Sequence, residues 1–146
     1  MQIQEFMSRN IATVRLGSTM QEAAEIVRDS RASDLMVLDD EGCFVGVLSE
    51  GDLVRAIMPR FEELMASSGS LMESFVILGE HGREMAGQPI DGLVIRNPIT
   101  FGPCDEPVKA AAAMVSKNIR RLPIVEDGRL VGTVSRADIA RAVIHQ

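Results

Sequence analysis

The chain has 146 residues, 46% of them hydrophobic and 25% charged, with a formal charge of -6; that balance excludes a disordered chain and suits one compact domain, or two small ones that fold together. Trp and Tyr are missing and Phe occurs five times, so the core must be built from Val, Ile, Leu, Met and Ala. The acidic surplus disfavours nucleic acid as a partner, since such a surface repels phosphate backbones, and no apolar run reaches the roughly 18 residues of a membrane span.

Residues 1 to 12 read as a lead-in, with a helical turn at Ile3 to Met7 and an extended segment from Asn10 to Val14. Gln4, Glu5, Arg9 and Asn10 stand where a signal peptide needs an apolar core. A helix is expected from Gly17-Ser18, where Ser18 and Gln21 have the spacing of a capping box and Met20, Ala23, Ala24, Ile26 and Val27 form an apolar stripe. Leu35 to Leu38 and Cys43 to Leu48 are expected strands, joined by Asp39-Asp40-Glu41-Gly42, in which Gly supplies positive φ. Ser49-Glu50-Gly51-Asp52 opens a second helix that stops near Met58-Pro59. The order is β-α-β-β-α.

Between this unit and the next, Arg60 and Arg83 stand against Glu62, Glu63, Glu73, Glu80, Glu84 and Asp91. Phe61, Leu64 and Met65 are spaced for a helix, Ser67-Ser68-Gly69 interrupts it, and Ser70 to Glu73 predicts a fresh cap. Leu71, Phe75, Leu78 and Met85 continue an apolar face to Ala86-Gly87. Two acidic amphipathic helices are expected, and their apolar face needs either the host domain or a second copy of the chain as a partner. Beyond them Ile99-Thr100 reads as extended, and a helix capped by Asp105 carries Pro107 in its first turn, where a missing N–H costs nothing. Ala110 to Ala113 predicts a well-buried helix. Leu122 to Val125 and Arg129 to Val134 are expected strands.

The order recurs because the sequence does. Arg9-Asn10, Thr13, Ala23-Ala24 and Leu35 return 87 residues later as Arg96-Asn97, Thr100, Ala110-Ala111 and Leu122. One residue is lost in the acidic turn, and Gly46-Val47-Leu48-Ser49-Glu50-Gly51-Asp52 then reappears as Gly132-Thr133-Val134-Ser135-Arg136-Ala137-Asp138. Each copy reads as strand, tight turn and helix N-terminus. A single Ser-x-x-Asp is explained by capping and the helix dipole; its repetition after Gly and two further residues asks for more.

Cys43 and Cys104 lack a C-x-x-C context and predict neither a zinc site nor a redox pair, and two thiols without a framework suggest a reducing, cytoplasmic compartment. His81 and His145 have no partner at metal-ligand spacing, so no metal is expected. Met58, Met65, Met72, Met85 and Met114 fall on apolar helix faces and read as core.

The duplicated stretch resembles a tandem pair of CBS domains (cystathionine β-synthase domains), or Bateman module. It does so together with Thr13, Ala23 and the Leu35 strand in one copy, and with Thr100, Ala110 and Arg121-Leu122-Pro123-Ile124-Val125 in the other. The resemblance implies an α+β fold of two pseudo-symmetric β-α-β-β-α repeats, residues 1 to 58 and 93 to 146, packed sheet to sheet with residues 59 to 92 as a helical insertion. It further implies a regulatory module that needs no cofactor. Such a module holds an adenine nucleotide (AMP, ADP or ATP), S-adenosylmethionine or NAD in clefts between the repeats, forms a homodimer and is read by an effector protein.

In the crossed pattern that the family implies, one cleft combines Val47, Ser49 and Asp52 with Thr100, Ile119, Arg120, Arg121 and Pro123. The other combines Ser135 and Asp138 with Thr13, Ala32, Ser33 and Asp34. A carboxylate such as Asp52 suits a ribose diol, the helix N-terminus beside Ser49 suits an anion, and adjacent arginines suit phosphates. The first repeat departs from the pattern, with Met36 in the place of Pro123 and Asp34 in that of a basic residue; Arg136 is expected either to replace the lost charge or to pair with Asp34. The cleft with the arginines is therefore the expected nucleotide site, and its twin suits a less anionic adenosyl group or nothing. No nucleophile and base, metal cluster or Gly-x-x-x-x-Gly-Lys loop is visible, so no enzyme is expected. The rival reading is a dimerisation scaffold that needs no ligand.

Overall fold

A computed structural model describes residues 1–58 and 71–145 of the chain. The expected helix of Phe61, Leu64 and Met65, its interruption at Ser67-Ser68-Gly69 and the Ser70 cap lie outside the described residues. The first repeat consists of β1 (Thr13–Arg15), α1 (Met20–Ser30), β2 (Asp34–Leu38), β3 (Phe44–Ser49) and α2 (Glu50–Ile57). After α3 (Leu71–Ala86) and the short β4 (Ile95–Arg96), the second consists of α4 (Pro107–Ser116), β5 (Arg121–Glu126), β6 (Arg129–Ser135) and α5 (Arg136–Ile144). Phe101 takes the place of β1 there, through one parallel bridge to Ile124.

Strand periodicity divides each hairpin into two faces. β2 and β3 run antiparallel with Asp34 beside Ser49 and Met36 beside Val47, while β5 and β6 set Arg121 beside Ser135 and Pro123 beside Thr133. Leu35, Val37 and Leu48 turn to the helices and form one core with Met20, Ala23 and Leu53. Leu122, Ile124 and Val134 form the other with Ala110 and Met114. Met36, Pro123 and Thr133, on the opposite faces, are also fully buried, because the two sheets meet there. At the hairpin ends the Phe44 N–H donates to the Gly128 carbonyl at 2.9 Å and Arg129 Nη1 to the Glu41 carbonyl at 2.9 Å.

The lead-ins are exchanged between the repeats. Ile3 and Met7 belong to the core of the second repeat and Ile90 to that of the first. Each lies on or beside a 3-10 turn, Ile3–Glu5 or Ile90–Leu93, and these turns occupy matching positions in the duplication. Ser8 trades both backbone hydrogen bonds with Thr133, at 2.8 and 2.9 Å, and β4 pairs with β3 in the same manner.

Several local expectations are corrected. Helix α1 is capped by Thr19, whose hydroxyl accepts from the Glu22 N–H at 3.1 Å, and not by Ser18; the Ser18 carbonyl is engaged by the Ile90 N–H of the exchanged lead-in. The N-cap of α4 is Glu106, not Asp105, because the Asp105 carboxylate turns back to the Gly102 N–H at 2.7 Å. That helix is not buried all round: Pro107, Ala110 and Met114 face the core, while Val115 on the far side is 85% exposed. Met58 and Met72 are exposed rather than core, since α3 buries no residue outright and Leu71, Met72 and Phe75 face outward. Met85 does pack on the first core, and the His81 ring, at 3.2 Å from the Ala56 carbonyl, ties α3 to α2.

Candidate functional site

The duplicated stretch has a physical reason at each of its fixed residues. Gly46 lies under β4, and a Cβ there would sit 2.2 Å from the Ile95 carbonyl oxygen; at Gly132 the obstacle is the Met7 sulfur at 2.6 Å. Glycine is thus demanded by the exchanged chain passing over it. Ser49 and Ser135 cap α2 and α5 by accepting from the N–H groups of Asp52 and Asp138, each at 3.1 Å. The Asp138 carboxylate closes a capping box on the Ser135 N–H at 2.9 Å, whereas Asp52 is ion-paired with Arg55 one turn along its helix.

Two cavities open between the repeats. The first, about 310 Å³, is lined by Val47, Ile95, Pro98, Ile99, Asn118, Ile119, Arg120, Arg121, Pro123 and Asp34. The second, about 540 Å³, is lined by Thr133, Ser8, Asn10, Ile11, Ala12, Arg31, Ala32, Asp34, Met36 and Arg121, together with Asp29 and Ser30. The sets correspond through the duplication: Ser8 matches Ile95, Ile11 and Ala12 match Pro98 and Ile99, Arg31 matches Asn118, and Thr133 matches Val47. Arg31 and Asn118 share a left-handed backbone, with φ of 57° and 54°.

The first cavity brings together Val47, Ile119, Arg120, Arg121 and Pro123 of the expected set, from both repeats; Ser49, Asp52 and Thr100 do not line it. The second brings together Ala32 and Asp34, but Thr13, Ser33, Ser135 and Asp138 do not line it. Asp138 instead borders a cavity of about 360 Å³ with Met1, Glu5, Phe6, Arg141 and His145. Arg136 neither replaces a charge beside Asp34 nor pairs with it. Being the first residue of α5, it lies against the turn before β5 and donates to Asn118 Oδ1 at 2.7 Å and to the Ile119 carbonyl at 3.2 Å.

The walls of the first cavity are apolar and its basic edge is Arg120-Arg121, an arrangement that admits a flat ring between aliphatic side chains with an anion at the guanidinium groups. Its twin presents hydroxyls, amides and both charges. Lead-in residues such as Ser8, Ile95 and Ile99 carry no motif that marks them; projecting the expected first cleft onto the second through the duplication finds Thr133, the counterpart of Val47, and Met36, that of Pro123. Among the described residues no cluster of His, Cys, Asp and Glu is arranged to hold a metal ion, and no helix is long and apolar enough to cross a membrane.

Comparison with known proteins bears on the same two segments. The family model described as CBS domain matches residues 3–59 and 90–145. The uncharacterized protein MJ1225 of Methanocaldococcus jannaschii is 24% identical over 139 residues, covering 95% of this chain and 41% of that protein. The chain spans less than half of the length of the first curated relatives it matches, 41%, 31% and 24% in turn. Of the solved structures, CBSX2 of Arabidopsis thaliana in complex with AMP superposes with a TM-score of 0.74 at 22% identity, covering 99% of this chain and 96% of that one. The CBS domain pair of protein MJ0100, in complex with 5′-methylthioadenosine and S-adenosyl-L-methionine, does so with a TM-score of 0.72 at 23% identity, covering 99% and 97%.

Proposed function

The chain belongs to the CBS-domain family and carries two copies of the domain, and from that premise we propose that it is a regulatory module binding an adenosyl ligand between its repeats. The observation that carries this reading is the first cavity, where aliphatic walls from both repeats converge on two adjacent arginines. A purine ring would lie among Val47, Ile99, Ile119 and Pro123, and a 5′-phosphate would meet Arg120 and Arg121. That chemistry favours AMP, ADP or ATP over uncharged adenosyl compounds in this cleft. The bound state is read by a partner through the packing of the repeats, with no turnover and no required cofactor. The structures that contain AMP, or 5′-methylthioadenosine and S-adenosyl-L-methionine, support the choice of ligand class.

Thermal melts with AMP, ADP, ATP, S-adenosylmethionine and NAD test the reading. A ligand at a hundred times its dissociation constant adds about 2.7 kcal/mol to the native state, so a clear rise in Tm is expected with at least one nucleotide. Arg121→Ala is expected to weaken that binding more than Asp138→Ala, whose carboxylate is committed to its own cap. A panel without effect would overturn the reading.

The exposed apolar residues of α3, Leu71, Met72 and Phe75, favour a second reading in which the module is also a homodimer, or only a dimerisation scaffold. Sedimentation at micromolar concentration separates these: a dimer unchanged by any nucleotide supports the scaffold, and a monomer removes it.

A further inference from the structure

Asp34 and Arg121 occupy the same position of the two repeats, and each lines both cavities. The clefts therefore share a wall, and that wall carries opposite charges from equivalent sites. Arg121 is not idle in it: Nη1 donates to the Thr133 hydroxyl at 2.7 Å. Thr133 lines the second cavity only, stands where the first has Val47, and is 1% exposed. The guanidinium that completes the basic edge of the first cleft is thus anchored in the second, by a hydroxyl rather than by a carboxylate. A hydrogen bond of that kind is weaker than one to an anion, so a phosphate can take the guanidinium away from it.

We propose that Arg121 is a single guanidinium shared by the two clefts, so that an anionic ligand held in one lowers the affinity of the other for a second anion. The proposal rests on the adenosyl reading and extends it to how the sites communicate. When a phosphate in the first cleft draws Arg121 off Thr133, the second cleft is left with the Asp29 and Asp34 carboxylates against Arg31. An adenosyl ligand without a phosphate is then preferred there. Because linkage is reciprocal, an anion in the second cleft disfavours one in the first by the same factor.

Calorimetric titration with AMP, followed by adenosine at saturating AMP, tests this on the wild-type chain and on Thr133→Val, Asp34→Asn and Arg120→Ala, with melts confirming that each variant folds. Wild type is expected to bind one AMP tightly and a second at least tenfold more weakly, while adenosine still enters the second cleft. Thr133→Val frees Arg121 from a hydrogen bond whose donor is charged and is expected to tighten the first AMP about tenfold or more, the worth of one such bond. Asp34→Asn takes a carboxylate from both clefts, but in the first it faces Arg120 and Arg121 and in the second only Arg31 once Arg121 is drawn away. The second AMP is therefore expected to gain more and the gap between the two affinities to narrow. Arg120→Ala, which removes a side chain of the first cleft only, is expected to weaken the first AMP without weakening the second. Two equal AMP sites in wild type, or variants of Asp34 and Thr133 that leave the affinity ratio unchanged, overturn the sharing and leave the adenosyl reading standing. No binding of AMP or adenosine overturns both.

Discussion

At the scale of single residues, the glycines of the duplicated stretch report on steric contact. Any side chain at Gly46 meets backbone, the Ile95 carbonyl of β4, whereas at Gly132 the nearest atom belongs to the flexible Met7 side chain, with the Ser8 carbonyl 3.0 Å away. Overpacking against backbone costs about 1 to 3 kcal/mol, and a thioether yields more readily. Gly46→Ala is therefore expected to lower the urea midpoint more than Gly132→Ala, with m unchanged; equal losses would show that β4 moves aside as easily as Met7. Sequence alone marked both glycines as fixed points but gave them no cause, because the covering chain lies far away in sequence. The same limit applies to the caps: Ser18 and Thr19 are both good cap residues, and what chooses between them is a hydrogen bond from Ile90 to the Ser18 carbonyl.

In the secondary-structure elements, local periodicity is a sufficient guide where an element packs on its own repeat. The hairpins, their positive-φ glycines Gly42 and Gly128, and helices α1, α2 and α5 all follow from patterns within about a dozen residues. Patterns of that length cannot name a partner. Ile3 and Met7 carry the spacing of a helical turn whichever repeat they dock on, and Ala110 to Ala113 are apolar whether one face is covered or all of them. In the structure Ile3 is fully buried in the second core and Ile90 in the first. Large-to-small changes at such sites cost about 2 to 5 kcal/mol, so Ile3→Ala is expected to destabilise the chain as much as Ile90→Ala does, in chemical denaturation followed by circular dichroism. A loss below about 0.5 kcal/mol for Ile3→Ala would mean that the lead-in merely rests on the second repeat. The candidate site is legible only in part: Val47, Ile119, Arg120, Arg121 and Pro123 line one cavity, whereas Ser49, Asp52 and Thr100 do not, and the carboxylates at the third helical positions are engaged by Arg55 and by the Ser135 N–H.

For the whole molecule, exchange of the lead-ins makes each repeat hold part of the other's core, and the clefts lie on the same seam. Val47 and Ile119 face one cavity from different repeats, and Arg121 and Asp34 face two. A ligand bound there contacts both repeats, so whatever binds must add to the cohesion between them, and whatever loosens the seam must weaken binding. On the proposed function, this ties ligand binding to stability without a separate hinge. It also predicts the behaviour of the halves. Residues 1–70 lack Ile90 and β4, and residues 71–146 lack Ile3, Met7 and the Ser8 pairing with Thr133. Expressed apart, each is expected to melt without a cooperative transition, and mixing the two is expected to restore a single one whose midpoint rises with nucleotide. If residues 71–146 alone melted cooperatively at the Tm of the intact chain, the exchanged segments would be ornaments on two independent domains, and a ligand between them would have no leverage over either.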